Sequence, residues 1–371
     1  MRSPSSAIRM RSIPAPRWAE LSRLPSDEQM IELAATVAET SRRLARPNPW
    51  VGAVVRSADG RIATGATGRP GHDHAEIVAL KKLGRDAAGA TMWVTLEPCS
   101  HWGKTPPCAE RIVEAGVSRV VVSLTDPDPR VNGTGIAMLR EAGIEVEVGV
   151  GAQRRVQELR PYLVSRSLGR PYVLLKMAMT ADGYTAAADG SSKWITGEAA
   201  RLRVQELRAD SDAILVGAGT IRADDPRLDL RPDGAERSAD SPLRVVLGEI
   251  PAQAKVNPAL AWSGTIDALL DTLSGEGVIQ LMVEGGASVA HSFLSGGLVD
   301  EFRLFIAPKL LGGSDGRRLF EGAGAKNMSR ALGMRTLEFR SWEGDLEVAL
   351  LSERAQALLE DFEAGPAQRP S

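Results

Sequence analysis

Cysteine is nearly missing from this chain: Cys99 and Cys108 are the only two in 371 residues. So few thiols exclude a disulfide-stapled secreted scaffold, and a close pair in a reducing compartment points to a metal or catalytic site. Net charge is nearly absent too, since 45 Lys and Arg against 47 Asp and Glu leave −2 at pH 7. A protein built to hold a nucleic-acid backbone or an anionic membrane would show an excess of one sign. No apolar run is long enough to span a bilayer, and no signal-peptide core is present. No internal repeat of about 20–50 residues marks a solenoid or propeller. Acidic residues are missing from Met1 to Trp18, where Arg2, Arg9, Arg11 and Arg17 stand among Ser and Pro. That composition suits an organelle transit peptide, but Pro4, Pro14 and Pro16 interrupt the amphipathic helix such a peptide needs. The expectation is a disordered tail over 1–25, or an upstream start codon, on a cytoplasmic protein.

What is present reads as two globular α/β units. Hydrophobic content of 43% and charged content of 25% are ordinary for a soluble fold, and the length allows two cores. Ser26-Asp27-Glu28-Gln29 forms a capping box ahead of Met30, Ile31, Leu33, Ala34 and Val37, spaced as on a helix. Strands are expected at Trp50–Val55, Ala63–Gly65, Met92–Leu96, Val120–Leu124 and Ile144–Val148. Helices are expected at Ala75–Leu83, Cys108–Ala115 and Ile136–Glu141. This alternation predicts an α/β sandwich with much parallel sheet over 26–150. Gln153–Ser167 reads as a connecting helix within a 151–170 hinge, and Arg170-Pro171 opens a second α/β domain over 171–353. Its strands are expected at Tyr172–Met177, Ala213–Val216, Leu243–Leu247 and Val278–Val283, with Ala199–Arg208 amphipathic, and with Phe302–Ile306 and Leu346–Leu351 as a pair. Beyond about Arg354 a short helix and a tail (354–371) are expected.

Chemistry concentrates between Gly71 and Cys108. His74-Ala75-Glu76 precedes Thr95-Leu96-Glu97-Pro98-Cys99-Ser100-His101-Trp102-Gly103-Lys104-Thr105-Pro106-Pro107-Cys108. His74, Cys99 and Cys108 supply three ligands for Zn2+ and leave the fourth tetrahedral position to water, the pattern of a catalytic metal. Glu76 is placed to take a proton from that water and deliver it to a ring nitrogen and departing ammonia. Residues two apart on a regular helix diverge, so His74 must sit at the helix entrance for both side chains to reach one point. Cys108, after two prolines, should begin a helix whose positive end favours thiolate. The set resembles the H-x-E…P-C-x-x-C signature of zinc nucleobase deaminases, with C-x8-C in place of C-x2-C.

The longer loop narrows the resemblance. Pro47-Asn48-Pro49-Trp50-Val51-Gly52, His74-Ala75-Glu76 and the Thr95–Cys108 string resemble the bifunctional riboflavin-biosynthesis deaminase–reductase family. Asp126-Pro127-Asp128-Pro129 resembles its later loop, with Asp128 where Asn is usual. Resemblance implies Asn48 against the pyrimidine, and His101 and Lys104 near a ribose phosphate. Lys104 stands where Arg is common, so it would meet phosphate as a point charge.

In the second half, Gly217-Ala218-Gly219-Thr220 follows a strand, but Arg222 breaks the dinucleotide fingerprint. By composition this is an α/β domain and no more. Lys176-Met177-Ala178-Met179-Thr180-Ala181-Asp182-Gly183, Ser192–Thr196, Arg208, Gly217–Arg231 and Val283-Glu284-Gly285-Gly286 resemble the family's reductase motifs in order. That implies a cytidine-deaminase-like α/β/α sandwich followed by a dihydrofolate-reductase-like domain, which explains the missing glycine. It also implies NADPH on Ala178, Trp194, Thr196, Thr220, Asp224, Gly285 and Gly286. Lys176, Ser192, Arg208, Leu228, Arg231 and Glu284 would then face the substrate, with Arg208 and Arg231 suited to phosphate. Gly248–Thr265 is short where the family places a further strand, and Ala259–Trp262 is its expected remnant. The implied activity is deamination of a diamino-phosphoribosylaminopyrimidinone, then NADPH-dependent reduction of the aminouracil's ribosyl group to ribityl. A homo-oligomer acting on small phosphorylated pyrimidines is expected, with neither nucleic acid nor membrane as partner. The rivals are a deaminase with an inactive second domain, a nucleotide sensor on an enzyme scaffold, and a deaminase of free or RNA-borne bases.

Overall fold

The computed structural model describes residues 25–103, 105–230 and 241–364. Helix α1 (Asp27–Ala38) begins at the capping box, with Ser26 and Gln29 each closing on the other's backbone N–H. It is followed by β1 (Gly52–Arg56), β2 (Ile62–Ala66), α2 (Ala75–Leu83), β3 (Thr91–Val94), α3 (Cys108–Glu114), β4 (Arg119–Val122), α4 (Thr134–Glu141) and β5 (Glu145–Val148). These strands make one sheet in the order β2-β1-β3-β4-β5. Strand β1 runs antiparallel to both neighbours, and β3, β4 and β5 are parallel, as the alternating pattern predicts. In a parallel run the strand ends that lead into helices all lie on one side, and that side carries the chemistry.

Close approach of helix to strand depends on two glycines. A Cβ on Gly52 would lie 1.8 Å from the Ala34 carbonyl oxygen, and one on Gly65 would lie 2.0 Å from that of Ala75. Only a residue without a side chain lets α1 and α2 sit this low on the sheet. Gly65 therefore fixes the height of the first turn of α2, which follows His74 and contains Glu76.

Helix α5 (Ala152–Leu168) leads into β6 (Tyr172–Thr180), β7 (Tyr184–Ala186), α6 (Glu198–Ala209), β8 (Ala213–Gly217), α7 (Ala218–Asp224), β9 (Leu243–Leu247), β10 (Leu260–Trp262) and α8 (Ile266–Gly275). Then come β11 (Gln280–Val283), α9 (Ala287–Ser295), β12 (Glu301–Ala307), β13 (Arg317–Arg318), β14 (Met334–Trp342), β15 (Asp345–Ser352) and α10 (Glu353–Glu363). Eight strands form a mixed sheet, β10-β9-β8-β11-β6-β12-β15-β14, and β7 pairs with β13 apart from it. The expected pair is the antiparallel β12–β15 ladder. The Ala259–Trp262 remnant is the edge strand β10, parallel to β9. Strand β14 had no clear signature because it is an edge strand with no fully buried residue along its length.

Two expected helices carry packing that the sequence pattern does not show. Helix α5 is more than a connector: Val156, Leu159, Tyr162, Leu163 and Val164 are buried in the core of the first sheet. It is also tied to the second sheet, where Arg160 donates to Glu301 at 3.0 Å and Tyr172 Oη donates to the same carboxylate at 2.6 Å. The short helix expected beyond about Arg354 is α10, and its Ala355, Leu359 and Phe362 are buried in that same core. These are three apolar positions at helical spacing in a stretch that reads as polar overall. The last element thus returns to α5 and fastens the second domain to the first.

Gly65→Ala is expected to lower stability by about 1–3 kcal/mol, the ordinary cost of overpacking, because α2 must be pushed off the sheet. Urea denaturation of the full chain measures it, and an unchanged midpoint would show that the helix has room to move.

Candidate active site

Three separated segments meet at one point. His74 is the residue before α2, with extended backbone (φ −75, ψ 167), and its carbonyl accepts the N–H of Val78. This is the helix-entrance position required for His74 and Glu76 to converge. Cys99 follows the β3 loop, and Cys108 is the first residue of α3. The ligand atoms of His74, Cys99 and Cys108 all lie within 4.8 Å of one another. His74 Nδ1 is 3.6 Å from Cys99 Sγ and 3.3 Å from Cys108 Sγ. Tetrahedral zinc, with bonds of about 2.3 Å to sulfur and about 2.0–2.1 Å to nitrogen, would hold N and S roughly 3.6 Å apart. One imidazole and two thiols at this spacing fit that ion.

Glu76 lies in the first turn of α2 and is only 3% exposed. Burial pushes its carboxyl up to about 7, against the opposing pull of His74. A carboxyl in that range can both take and release a proton near neutrality. The thiol expectation is corrected in one respect. The N–H at the start of α3, that of Cys108, donates to Cys99 Sγ at 3.3 Å, so the positive helix end serves the neighbouring sulfur. The Cys99 thiol is drawn down to about 4, by its hydrogen bond with Cys108 first and that with His74 next. Cys108 is pushed up by its hydrogen bond with Cys99 and by burial.

The loop bearing Cys99 is held by a residue the motif reading passed over. Glu97, buried, accepts backbone N–H groups from Asp126 (3.2 Å), Gly133 (2.9 Å) and Ile136 (3.1 Å). A Cβ on Gly135 would lie 2.0 Å from the Pro98 carbonyl oxygen, so the start of α4 presses on the residue before Cys99. The signal was available, as an acid at the inner end of an apolar strand must find donors. Which donors it finds is a matter of tertiary structure. Asp126 is buried and accepts from Tyr162 Oη of α5 at 3.0 Å. Asp128, where the family pattern has Asn, is chelated by Arg130 through Nε (2.9 Å) and Nη2 (2.6 Å), and this pairing takes it down to about 2.

Of the other deaminase residues, Asn48 lines a crevice between the domains with Arg46, Trp50, Tyr162, Asp212 and Gln280. His101 is half-buried, and its Nδ1 has no hydrogen-bond partner among the described residues. Lys104 lies outside the described residues.

The reductase residues gather around the sheet ends of the second domain. Lys176 (β6), Arg208 (α6) and Glu284 (after β11) form a partly buried triad. Arg208 grips Glu284 through Nε at 2.5 Å and Nη2 at 3.0 Å, and Lys176 Nζ is 3.7 Å from the same carboxylate. Burial pushes Glu284 up, but Arg208 and Lys176 outweigh it and hold the carboxyl below its usual range. Burial draws Lys176 down. The resemblance implies Arg208 as a phosphate contact; two of its nitrogens are paired with Glu284, which is the physical reason a largely enclosed guanidinium is tolerated there.

Gly285 and Gly286 precede α9. A Cβ on Gly285 would lie 2.5 Å from Val289, whereas Gly286 has open space and caps the helix. Backbone N–H groups at such an end are suited to phosphate. Thr220 and Asp224 lie on α7, and Asp224 is 3.8 Å from Lys193, the neighbour of Trp194. Trp194 is 64% exposed, with Arg201 Cζ over its ring at 4.6 Å from the centroid. Ser192 and Thr196 flank it in the same loop, and Ala178 lies on β6. Leu228 is buried in left-handed backbone (φ 49). Arg231 lies outside the described residues.

Comparison with known proteins places both halves of the chain in known families. A family model for the cytidine and deoxycytidylate deaminase zinc-binding region matches residues 24–124, and one for the RibD C-terminal domain matches residues 171–348. Riboflavin biosynthesis protein RibD of Bacillus amyloliquefaciens is 40% identical over 337 residues, 81% of this chain and 90% of the relative. That of Mycobacterium tuberculosis (strain ATCC 25618 / H37Rv) is 42% identical over 295 residues, 77% of this chain and 86% of the relative. Among solved structures, Acinetobacter baumannii RibD, form 2, aligns with a TM-score of 0.81 at 36% identity, over 88% of this chain and 98% of the other. A Thermotoga maritima diaminohydroxyphosphoribosylaminopyrimidine deaminase/5-amino-6-(5-phosphoribosylamino)uracil reductase aligns at 0.77 with 31% identity, over the same shares.

Glu97→Ala strands three backbone N–H groups, two of them buried, and is expected to cost about 2 kcal/mol or more, at roughly 1–3 kcal/mol for each buried unsatisfied group. Thermal denaturation together with zinc analysis should show a lower Tm and weaker zinc retention, with Glu97→Gln between. Wild-type melting of the alanine variant would mean that these bonds do not hold the loop.

Proposed function

Because the chain belongs to the RibD family of riboflavin-biosynthesis proteins, with a zinc deaminase domain and an NADPH-dependent reductase domain, we propose that its two steps occur at the two sites described. The first site, within about 26–150, deaminates a diamino-phosphoribosylaminopyrimidinone. The second, within about 171–353, reduces the ribosyl side chain of the aminouracil product to ribityl. The observation that carries this reading is the meeting of His74, Cys99 and Cys108 beside the buried Glu76.

Zinc held by those three residues supplies the Lewis acidity that makes water a nucleophile near neutral pH. Glu76 takes one proton from the attacking water and passes it to the ring nitrogen, then carries the second proton, from the hydroxyl that has added to the ring carbon, to the amino group that leaves as ammonia. Water oxygen thereby replaces the amine as a ring carbonyl, with no change of oxidation state. Asn48 holds the pyrimidine, and His101 and Lys104 meet the phosphate end. The unpartnered His101 Nδ1 supports that role.

At the second site NADPH supplies the hydride, and the protein's task is alignment. Gly285, Gly286, Thr220, Asp224, Ala178, Trp194 and Thr196 hold the cofactor. Lys176, Ser192, Leu228, Arg231 and the Arg208–Glu284 pair hold the substrate, with Lys176 beside the group that gains charge. The protein acts in the cytoplasm on small phosphorylated pyrimidines. A homo-oligomer is supported by the exposed apolar residues Leu310, Met328, Leu332 and Phe339, along the edge strand β14 and the segment before it.

Glu76→Gln is expected to keep about one zinc per chain and to lose deamination by about two to four orders of magnitude. Loss of the metal instead, seen by elemental analysis, would make Glu76 a ligand or a fold determinant. Arg208→Ala is expected to cut reductase kcat/KM by about tenfold or more while leaving deamination intact, and Arg208→Lys, which keeps the charge beside Glu284, separates function from folding. Parallel loss of both activities in the lysine variant, followed by NADPH oxidation and ammonia release, would count against separate sites.

A further inference from the structure

The segment that presents Asn48 is anchored in the other domain. Two residues before it, Arg46 crosses to the end of α6, where Nη2 donates to the Ala209 carbonyl at 3.0 Å and Nη1 to that of Ser211 at 2.9 Å. Its Nε lies 3.1 Å from Asp212 Oδ1. The other oxygen of Asp212 accepts the N–H groups of Ile279 (3.0 Å) and Gln280 (2.8 Å), at the start of β11. Arg43, on the same stretch, reaches Asp210 at 3.1 Å. Arg46 therefore caps a helix of the reductase domain in trans, satisfying carbonyls that a helix end leaves open and placing positive charge at its negative pole. The guanidinium has donors directed at three acceptors, with only 18% of the side chain exposed, so its position is closely determined. Downstream, the Asn48 N–H returns to the Ala45 carbonyl at 2.9 Å, so Asn48 follows wherever Arg46 is held. Both side chains line the same crevice.

We propose that Arg46 is a positioning residue for deamination: by docking on Ala209, Ser211 and Asp212 of the reductase domain it sets the place of Asn48 in the deaminase site. This rests on the reading of Asn48 as the pyrimidine contact. It makes the second domain a structural part of the first site. The elements that receive Arg46, α6 and β11, are also those that lead to Arg208 and Glu284, so the anchor sits at the root of the reductase triad.

The test uses the full-length zinc-loaded protein and measures deaminase KM and kcat, zinc per chain and Tm for Asn48→Ala, Arg46→Ala, Arg46→Lys, Asp212→Asn and the Arg46→Ala/Asp212→Asn double variant. Asn48→Ala and Arg46→Ala are expected to raise deaminase KM by about tenfold, with zinc retained and kcat changed far less. Arg46→Lys, which cannot reach all three acceptors, should recover part of the loss. Asp212→Asn, although it lies in the other domain, should also raise deaminase KM, and the double variant should be no worse than Arg46→Ala, as for residues acting through one contact. If Asn48→Ala raises KM and the Arg46 and Asp212 variants do not, the anchoring proposal fails while the Asn48 reading stands. If Asn48→Ala leaves KM unchanged, the reading of Asn48 fails and takes the proposal with it. A fall in kcat that tracks zinc loss at constant KM would show Arg46 to be structural only, which also overturns the proposal.

Discussion

The first domain is organised around the need to bring one imidazole and two sulfurs from three distant segments within bonding reach of one ion. Each donor sits at a place where the backbone is about to enter, or has just left, a regular element: His74 before α2, Cys99 beyond β3 and Cys108 at the first residue of α3. Such positions have backbone directions set by the flanking element and N–H groups not yet used by a helix. The Cys108 N–H turned toward Cys99 Sγ is one of them. The low seat of α2 on Gly65 and the grip of Glu97 on the start of α4 follow from the same requirement, since a shift in either element would separate the donors.

The second domain is more than an appended enzyme. Its sheet shares α5 with the first core, its last helix packs back on α5, and the Arg160–Glu301–Tyr172 cluster joins that helix to β6 and β12. Burying so many charges is costly unless they are paired, and here the partners are supplied by different elements. Arg303 extends the cluster to Glu338 of β14 and Glu347 of β15. Any large motion of one domain against the other would expose part of this network.

How much was legible depended on the range of the interaction. The capping box at Ser26, the entry of α2 at His74 and the start of α3 after Pro106-Pro107 are local, set by side chains within a few residues, and were readable. Strand β14 was not, because an exposed edge strand carries no burial pattern to read. The helix α10 was visible as a short helix, but its partner α5 lies far away in the chain. Arg208 illustrates the limit most clearly. Residue type suggested a phosphate ligand, while the fold closes it on Glu284, a carboxylate that sequence reading had assigned separately to the substrate.

By itself, the sequence determined the chemistry of the first site and the family of the whole chain. Two thiols, one H-x-E and the loop between the cysteines are a short, ordered and chemically restrictive set, so residue identity and spacing sufficed. Tertiary structure alone decided which sulfur the α3 N–H serves, which backbone groups Glu97 holds, and that Arg46 fastens the Asn48 segment to the opposite domain. Each of these joins residues far apart in the chain or depends on the direction of a single N–H. Such contacts leave no periodicity or spacing in the sequence, because their geometry exists only after both cores have formed.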